Sequence, residues 1–527
     1  MNKILIDGQW RPARNPAGSF RAVDPADGTE LSDIYPISGF PDIEEALRAA
    51  HRDVPELGET RPEVLAEFLE GFAAGIEARA EELVETAHLE TALPQEPRLR
   101  SVELPRTTFQ LRQAAAAVRD RSWCRATIDT KADIRSKFGP LGGPVAVFSP
   151  NNFPFAYNSA AGTDSASAIA AGNPVIAKAH PGHPGTTRIF AEIAHNIGAR
   201  CGLPPATFQM VFHLEPESGY KFVAHPFLGA STFTGSRPAG LRLKEAADRA
   251  GKPIYIETSS VNPIFILPGA LAERRDKIAD EIFNSCTIGA GQFCTKPGLI
   301  MLIQDRDGNG EAFFEALRQS FERTPAAILV ARSVLDGIRI ALEMMTKAGA
   351  EIVAGGHAVE ARGFRHENTL LRVSGDVFLK NPKELQQEAF GPVSLCVFAR
   401  DPLQMLDIAS ALEGNLTGSV YSHTAGHDDE IYEKIAAVLR FKVGRFLNDK
   451  VPTGVTVSAS MVHGGPYPAA GHPGFTAVGF PAAMLRFAAL HGYDHVRHNR
   501  LPPELQDKNP TGKMWRLIDG EWTRRDV

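Results

Sequence analysis

Ala230-Ser-Thr-Phe-Thr-Gly-Ser-Arg-Pro-Ala-Gly240 reads as a strand that turns into a helix. The β-branched and aromatic run stops at Gly235, and Ser236-Arg-Pro opens a helix with proline in its first turn. Working outward, the same unit recurs on both sides. Residues 145–148, 175–179, 208–212, 230–234 and 253–257 read as strands, separated by helical stretches at 158–171, 185–200, 217–224 and 237–250. Alternation of this kind predicts βαβ units and a parallel sheet covered by helices. Ligands of such sheets bind at the carboxyl ends of the strands.

A second alternating block follows residue 261. It has strand-like runs at 264–267, 299–303, 393–398, 418–421 and 443–447 and helices near 311–322 and 331–348. The expected fold is α/β, with two Rossmann-like parallel-sheet domains and a small β element. The expected division is a first domain from 1–121 and 136–260 and a second from 261–459. Residues 122–135 and 460–500 form the small element, and 501–527 a C-terminal extension. Residues 42–121 read as mostly helical, with a capping box at Thr60-Arg-Pro-Glu63. Ile4-Leu-Ile-Asp-Gly-Gln-Trp10 and Leu517-Ile-Asp-Gly-Glu-Trp522 read as two similar hairpins turning on Asp-Gly.

Bulk composition narrows the function. Lys+Arg number 56 against Asp+Glu 62, a net charge of −6, whereas nucleic-acid binding calls for a basic face. No run approaches the roughly 20 apolar residues that span a bilayer. The five cysteines (124, 201, 286, 294 and 396) are odd in number and scattered, with no zinc spacing. A reducing, cytoplasmic setting with free thiols and no bound metal is expected.

The chemistry centres on Gly289-Ala-Gly-Gln-Phe-Cys-Thr-Lys-Pro-Gly298. It places Cys294 on a glycine-rich loop between a helix and a strand. A cysteine is most often a small buried hydrophobe, but glycines on a loop let a substrate reach the thiol. Four further stretches accompany it. Ser149-Pro-Asn-Asn-Phe-Pro154 follows the first strand of the sheet, where an asparagine amide can donate to an oxyanion. Lys178 ends the strand at 175–179, ahead of His180, Pro181 and His183. Gly235, Ser236 and Gly240 form the strand-to-helix turn. Glu257 ends an apolar strand, where a carboxylate is costly unless used or paired, and Glu388 and Phe390 sit in Gln-Glu-Ala-Phe-Gly-Pro392.

In this order, spread over residues 149–392, the stretches resemble the aldehyde dehydrogenase superfamily. The resemblance runs from Ile4 to about residue 500. It implies that Cys294 is the nucleophile, Asn152 an oxyanion donor and Glu257 the general base. It also implies that Lys178 and Glu388 hold the two riboses of a nicotinamide cofactor and that Ser236 faces its pyrophosphate. Two departures stand out: Asn151 replaces the usual aromatic, and Ser259 replaces the glycine after the base, which restricts how Glu257 swings. The stretches 260–270, 178–185, 294–299 and His463-Gly-Gly-Pro-Tyr-Pro468 resemble the 2,5-dioxovalerate (α-ketoglutaric semialdehyde) dehydrogenase branch.

The expected reaction is NAD(P)-dependent oxidation of an aldehyde through a thiohemiacetal and a thioester. The expected substrate is 2,5-dioxopentanoate, giving 2-oxoglutarate. A fatty or aromatic aldehyde is the alternative, because Phe153, Phe155, Tyr157 and Phe293 can line an apolar pocket. A catalytically silent cofactor-binding relative is the alternative of another class. NADP is expected over NAD. Pro181 stands where NAD-preferring relatives often carry a glutamate that repels a 2′-phosphate, with His180 and His183 as further donors. A homodimer or homotetramer is expected, with 122–135 and 460–500 as the oligomerisation element.

Overall fold

The computed structural model describes residues 1–527. The first sheet runs Ile254–Glu257, Ala230–Thr234, Val145–Phe148, Val175–Lys178, Phe208–Val211, Ile4–Ile6, Gln9–Arg11. Its first five strands are parallel. The N-terminal hairpin joins antiparallel at the far edge through Leu5 opposite Met210. Asp7 and Gly8 both take positive φ in its turn, as the Asp-Gly signal requires. Helices Thr163–Ala170, Pro184–Arg200, Pro216–Val223 and Arg237–Arg249 connect the parallel strands. The first is shorter than the sequence suggested, because Asn158 caps a turn through the Ala160 N–H and delays the helix.

The second sheet has seven strands in the order Glu351–Ala354, Thr369–Ser374, Val393–Ala399, Leu299–Ile303, Ile264–Ile266, Asn415–Tyr421, Val443–Asn448. Its first two strands escaped the sequence reading. Glu351–Ala354 is a half-exposed antiparallel edge after a helix, and a stretch rich in glycine and charge leads from it to Thr369–Ser374. Buried apolar residues of both sheets form one continuous core.

The third sheet runs Ala488–Asp494, Ile134–Pro140, Thr127–Asp129, Arg516–Ile518, Glu521–Thr523. Residues 501–527, expected as an extension, therefore supply two strands of this small element. Arg516 anchors them: it is fully buried and donates to the Gln506, Asp507 and Arg525 carbonyls. The strand beginning at Ile134 also runs five residues past the expected boundary at 135, to Pro140. The predicted capping box does not form. Thr60 Oγ1 donates back to the Glu56 carbonyl (3.1 Å), and helix Pro62–Ala78 starts on its proline alone. No helix is long and apolar enough to cross a membrane.

Candidate active site

Helix Pro268–Thr287 delivers the chain to a tight turn at Ile288–Gly291, and Cys294 follows three residues later. Gly291 has φ +65°, and a Cβ there would sit 2.3 Å from the Gly391 carbonyl oxygen. Only glycine lets the cysteine loop lie directly on the Phe390-Gly-Pro turn. Asn262 clamps the loop from the other side. Its Nδ2 donates to the carbonyls of Cys294 (2.8 Å) and Lys296 (2.9 Å), and its Oδ1 accepts from Ser260 and Thr417 hydroxyls.

Asn152 lies on the loop after Val145–Phe148. Its Nδ2 donates to the Gln292 carbonyl at 2.9 Å, which fixes the amide beside the thiol and leaves its second hydrogen for a ligand. The Cys294 N–H makes no hydrogen bond within the chain. Asn152, the expected oxyanion donor, and the Cys294 N–H thus both have a hydrogen to give beside the sulphur. Burial raises the other four thiols, Cys124 to about 12, Cys286 to about 11, and Cys201 and Cys396 likewise upward. Cys286 lies buried on the preceding helix against Ser394, as a structural thiol.

Glu257 ends the edge strand of the first sheet. The segment around Ala470 runs beside that strand: the Thr258 N–H donates to Ala469 O and the Gly471 N–H to Ile256 O, both at 2.9 Å. This zipper carries His463 over the thiol. Its Nε2 stands 3.0 Å from Glu257 Oε1 and 3.2 Å from Cys294 Sγ. The sequence reading used His463 only as a mark of resemblance. Its part in the site was hidden because 169 residues separate it from Cys294.

Phe153 and Phe293 meet edge to face at 5.4 Å, and Phe153 and Tyr157 at 5.2 Å, so the three aromatics form one wall beside the thiol. Arg98 stacks over Phe153 and Phe293 and pairs with Glu103. Arg106 donates to the Tyr157 hydroxyl at 2.8 Å, and Arg445 donates to the Pro452 and Gly454 carbonyls. Phe155 is fully buried against Phe190 and belongs to the core instead.

A cavity of about 580 Å³ opens from Cys294 along the carboxyl ends of the first sheet. Lys178, His180, Gly235, Ser236, Glu388 and Phe390 line it, together with Asn152, Phe153, Tyr157 and Glu257. Its chemistry suits a dinucleotide. Lys178 makes no hydrogen bond inside the chain, and burial lowers it to about 8. Ser236 begins helix Arg237–Arg249 without capping it through its side chain, so first-turn N–H groups remain for an anion. Glu388 is pushed up to about 7, by burial first, against the pull of Lys296 and hydrogen bonds from Ser259 and Ser260. Ser259 and Glu388 line the same cavity, while Glu257 pairs with His463.

Five expected residues fall outside the cavity lining: Phe155, Pro181, His183, Gly240 and Phe293. Gly240 packs instead, since a Cβ there would meet Thr258 Cγ2 at 2.8 Å. His183 is fully buried and spends Nε2 on the Pro150 carbonyl (2.9 Å), so it is no donor for a ligand. Burial pushes His183 to about 4 and His180 well below its usual value, so neither adds positive charge at neutral pH.

A partly exposed thiol at the mouth of a crevice suited to a dinucleotide is a fit setting for covalent chemistry beside a bound nucleotide. The description "Aldehyde dehydrogenase family" matches residues 10–451, and the chain belongs to that family. It is an oxidoreductase acting on aldehydes. The α-ketoglutaric semialdehyde dehydrogenase 2 of Azospirillum brasilense is 36% identical over 519 residues, covering 96% of each chain. The α-ketoglutaric semialdehyde dehydrogenase of Acinetobacter baylyi is 33% identical over 99% of each chain. Among solved structures, lactaldehyde dehydrogenase from Escherichia coli superposes with a TM-score of 0.79 at 22% identity, over 93% of this chain and 98% of that one. An aldehyde dehydrogenase from Pseudomonas syringae, solved with NAD+ and octanal, gives 0.78 at 21%, over 94% and 96%.

Proposed function

We propose that the chain oxidises a short aldehyde carrying a carboxylate, 2,5-dioxopentanoate above others, to the dicarboxylic acid. The observation that supports this is a pair of guanidinium groups without carboxylate partners. Arg106 reaches the Tyr157 hydroxyl, and Arg445 lies near both Cys294 and Tyr157. Burial lowers Arg445, and its Nε finds no partner, so an anion beside it would relieve a desolvated cation. The names of the two relatives at 33–36% identity agree with this reading. The aromatic wall of Phe153 and Tyr157, with Phe293 packed behind Phe153, favours a second reading, an apolar aldehyde. One assay separates them: kcat/KM for 2,5-dioxopentanoate against pentanal. Arg106→Gln is expected to cost the anionic substrate about 10–100-fold, the worth of one charged hydrogen bond of about 1.5–3 kcal/mol, and pentanal little. Equal loss on both would defeat the anion reading.

In the proposed mechanism the Cys294 thiolate attacks the aldehyde carbon. The second amide hydrogen of Asn152 and the Cys294 N–H receive the oxyanion of the thiohemiacetal. A nicotinamide cofactor, when bound, would supply the acceptor for the hydride of this carbon. Glu257 then takes a proton from the water that hydrolyses the thioester, and the sulphur leaves as thiolate. Lys178, the Ser236 turn and Glu388 would hold the cofactor. NADP is the preferred form, since no carboxylate stands at Pro181 to repel a 2′-phosphate. With both imidazoles neutral, Lys178 supplies the positive charge at this strand end. The third sheet is the proposed subunit contact of a homodimer or homotetramer.

A further inference from the structure

Nε2 of His463 touches both of the groups that the proposed reaction uses for proton transfer and attack. A Ser-His-Asp relay places its acid and its nucleophile on opposite ring nitrogens. Here one nitrogen faces both, at 3.2 Å from Cys294 Sγ and 3.0 Å from Glu257 Oε1. All three reactive atoms lie within 4.8 Å of one another. A proton at that point is shared among thiol, imidazole and carboxylate, and the ring does not pass it through. His463 is 2% exposed and stacks on Tyr157 at 5.8 Å, so its place is set by packing and not by solvent.

We propose that His463 is a catalytic residue of the first half-reaction: Nε2 takes the proton of the Cys294 thiol, and Glu257 holds the imidazolium that results. The inference rests on Cys294 being the nucleophile. The S–H bond breaks and an N–H bond forms. The electron pair left on sulphur makes the C–S bond, and the carbonyl π pair moves to oxygen. After hydrolysis the sulphur leaves as thiolate and the imidazolium is still present, so the pair is restored without a further proton. Glu257 keeps its other oxygen for the hydrolytic water.

The surroundings agree. Burial by itself opposes a charged ring, but Glu257 and Cys294 outweigh it and hold His463 well above its ordinary value. Tyr157 also faces the ring and favours its charged form. A narrow pocket beside the ring carries the Asp164–Arg486 ion pair (2.9 Å), Tyr255 and His472.

The test reads the thiol itself, without substrate. Cys294 alkylation by iodoacetamide is followed by peptide mass spectrometry against pH. In the natural chain the rate is expected to change little between about pH 6.5 and 8. In His463→Asn it is expected to fall about 100-fold at pH 6.5 and to recover as pH nears the ordinary thiol value of about 8.5. The burst of reduced cofactor is expected to slow by about 10²–10⁴-fold in the same variant. An unchanged alkylation profile in His463→Asn, or in His463→Gln should the first not fold, overturns the assignment. So does activity that disappears on chelation and returns with zinc, since a metal and not a proton would then join the three groups. If no aldehyde gives a burst in the natural chain while alkylation behaves as expected, the reaction reading fails and the proton assignment stands.

Discussion

The division of labour among Cys294, Glu257 and Glu388 can be tested one side chain at a time. Cys294→Ala is expected to abolish aldehyde oxidation while cofactor binding, read by fluorescence, persists. Glu257→Gln is expected to keep a stoichiometric burst of reduced cofactor, slowed because the imidazolium loses its partner. Steady turnover is expected to drop about 10²–10⁴-fold, because the thioester lacks its base. Full steady turnover in that variant would assign the water to another group. Glu388 offers a pH readout. Its carboxyl is raised from 4.5 to about 7 in the folded chain, so as a neutral acid it favours the fold below pH 4.5, and that contribution is lost as pH rises through about 7. Ribose hydroxyls need the ionised form as acceptor. Cofactor affinity is therefore expected to tighten from about pH 5.5 to 7, where Lys178, lowered to about 8, still keeps its charge, and Glu388→Gln to flatten that trend in a titration. Pro181→Glu is expected to move the kcat/KM ratio of NADP to NAD toward NAD; no movement would place 2′-phosphate recognition elsewhere.

The cysteine loop is an element held from outside itself. Its glycines permit the turn, but Asn262, from the crossing between the two sheets, supplies the two hydrogen bonds that tie it down. Asn262 itself adopts φ +44°, a conformation that asparagine tolerates better than most residues. Asn262→Ala leaves two carbonyls without their donor in a largely buried site, at a cost of about 1–3 kcal/mol for each group left unsatisfied. The expected outcome is a lower Tm with kcat reduced more than cofactor affinity. A variant with native Tm and kcat would show that the loop holds its own shape. The segment around Ala470 is a second such element. It pairs with the edge strand Ile254–Glu257 over only a few residues, and the His463 N–H donates to the Thr476 carbonyl beyond it.

At the scale of the whole molecule, the third sheet stands apart from the two that build the site. It exposes Leu490 (64%) and Trp522 (56%) on its outer strands, an arrangement suited to covering by another surface. Sedimentation is expected to show a dimer or tetramer, and Leu490→Glu to shift it toward smaller species while Cys294 alkylation is unchanged. A natural chain that sediments as a monomer at every concentration would remove the proposed subunit contact.

Local chemistry alone settled much of this protein. The alternation of short β-branched runs with amphipathic helices specified the parallel core of both sheets, because strand and helix periods are local properties. Gly-x-Gly around Cys294, the Asp-Gly turns and the Ser236-Arg-Pro helix start were legible for the same reason: each answers a backbone demand within a few residues. Tertiary structure decided what depends on distant partners. The Asp-Gly hairpins could be read, but not that one closes the first sheet and the other the third, since hairpin edges choose neighbours by packing. Glu257 could be read as a carboxylate in need of a partner, but not that the partner is His463, more than 200 residues away. Ser259 could be read as a departure, but only the fold shows that it lines the same cavity as Glu388. His183 looked like a donor in sequence and is consumed by the Pro150 carbonyl in the fold, because burial obliges a polar group to bond to whatever the packing brings within reach.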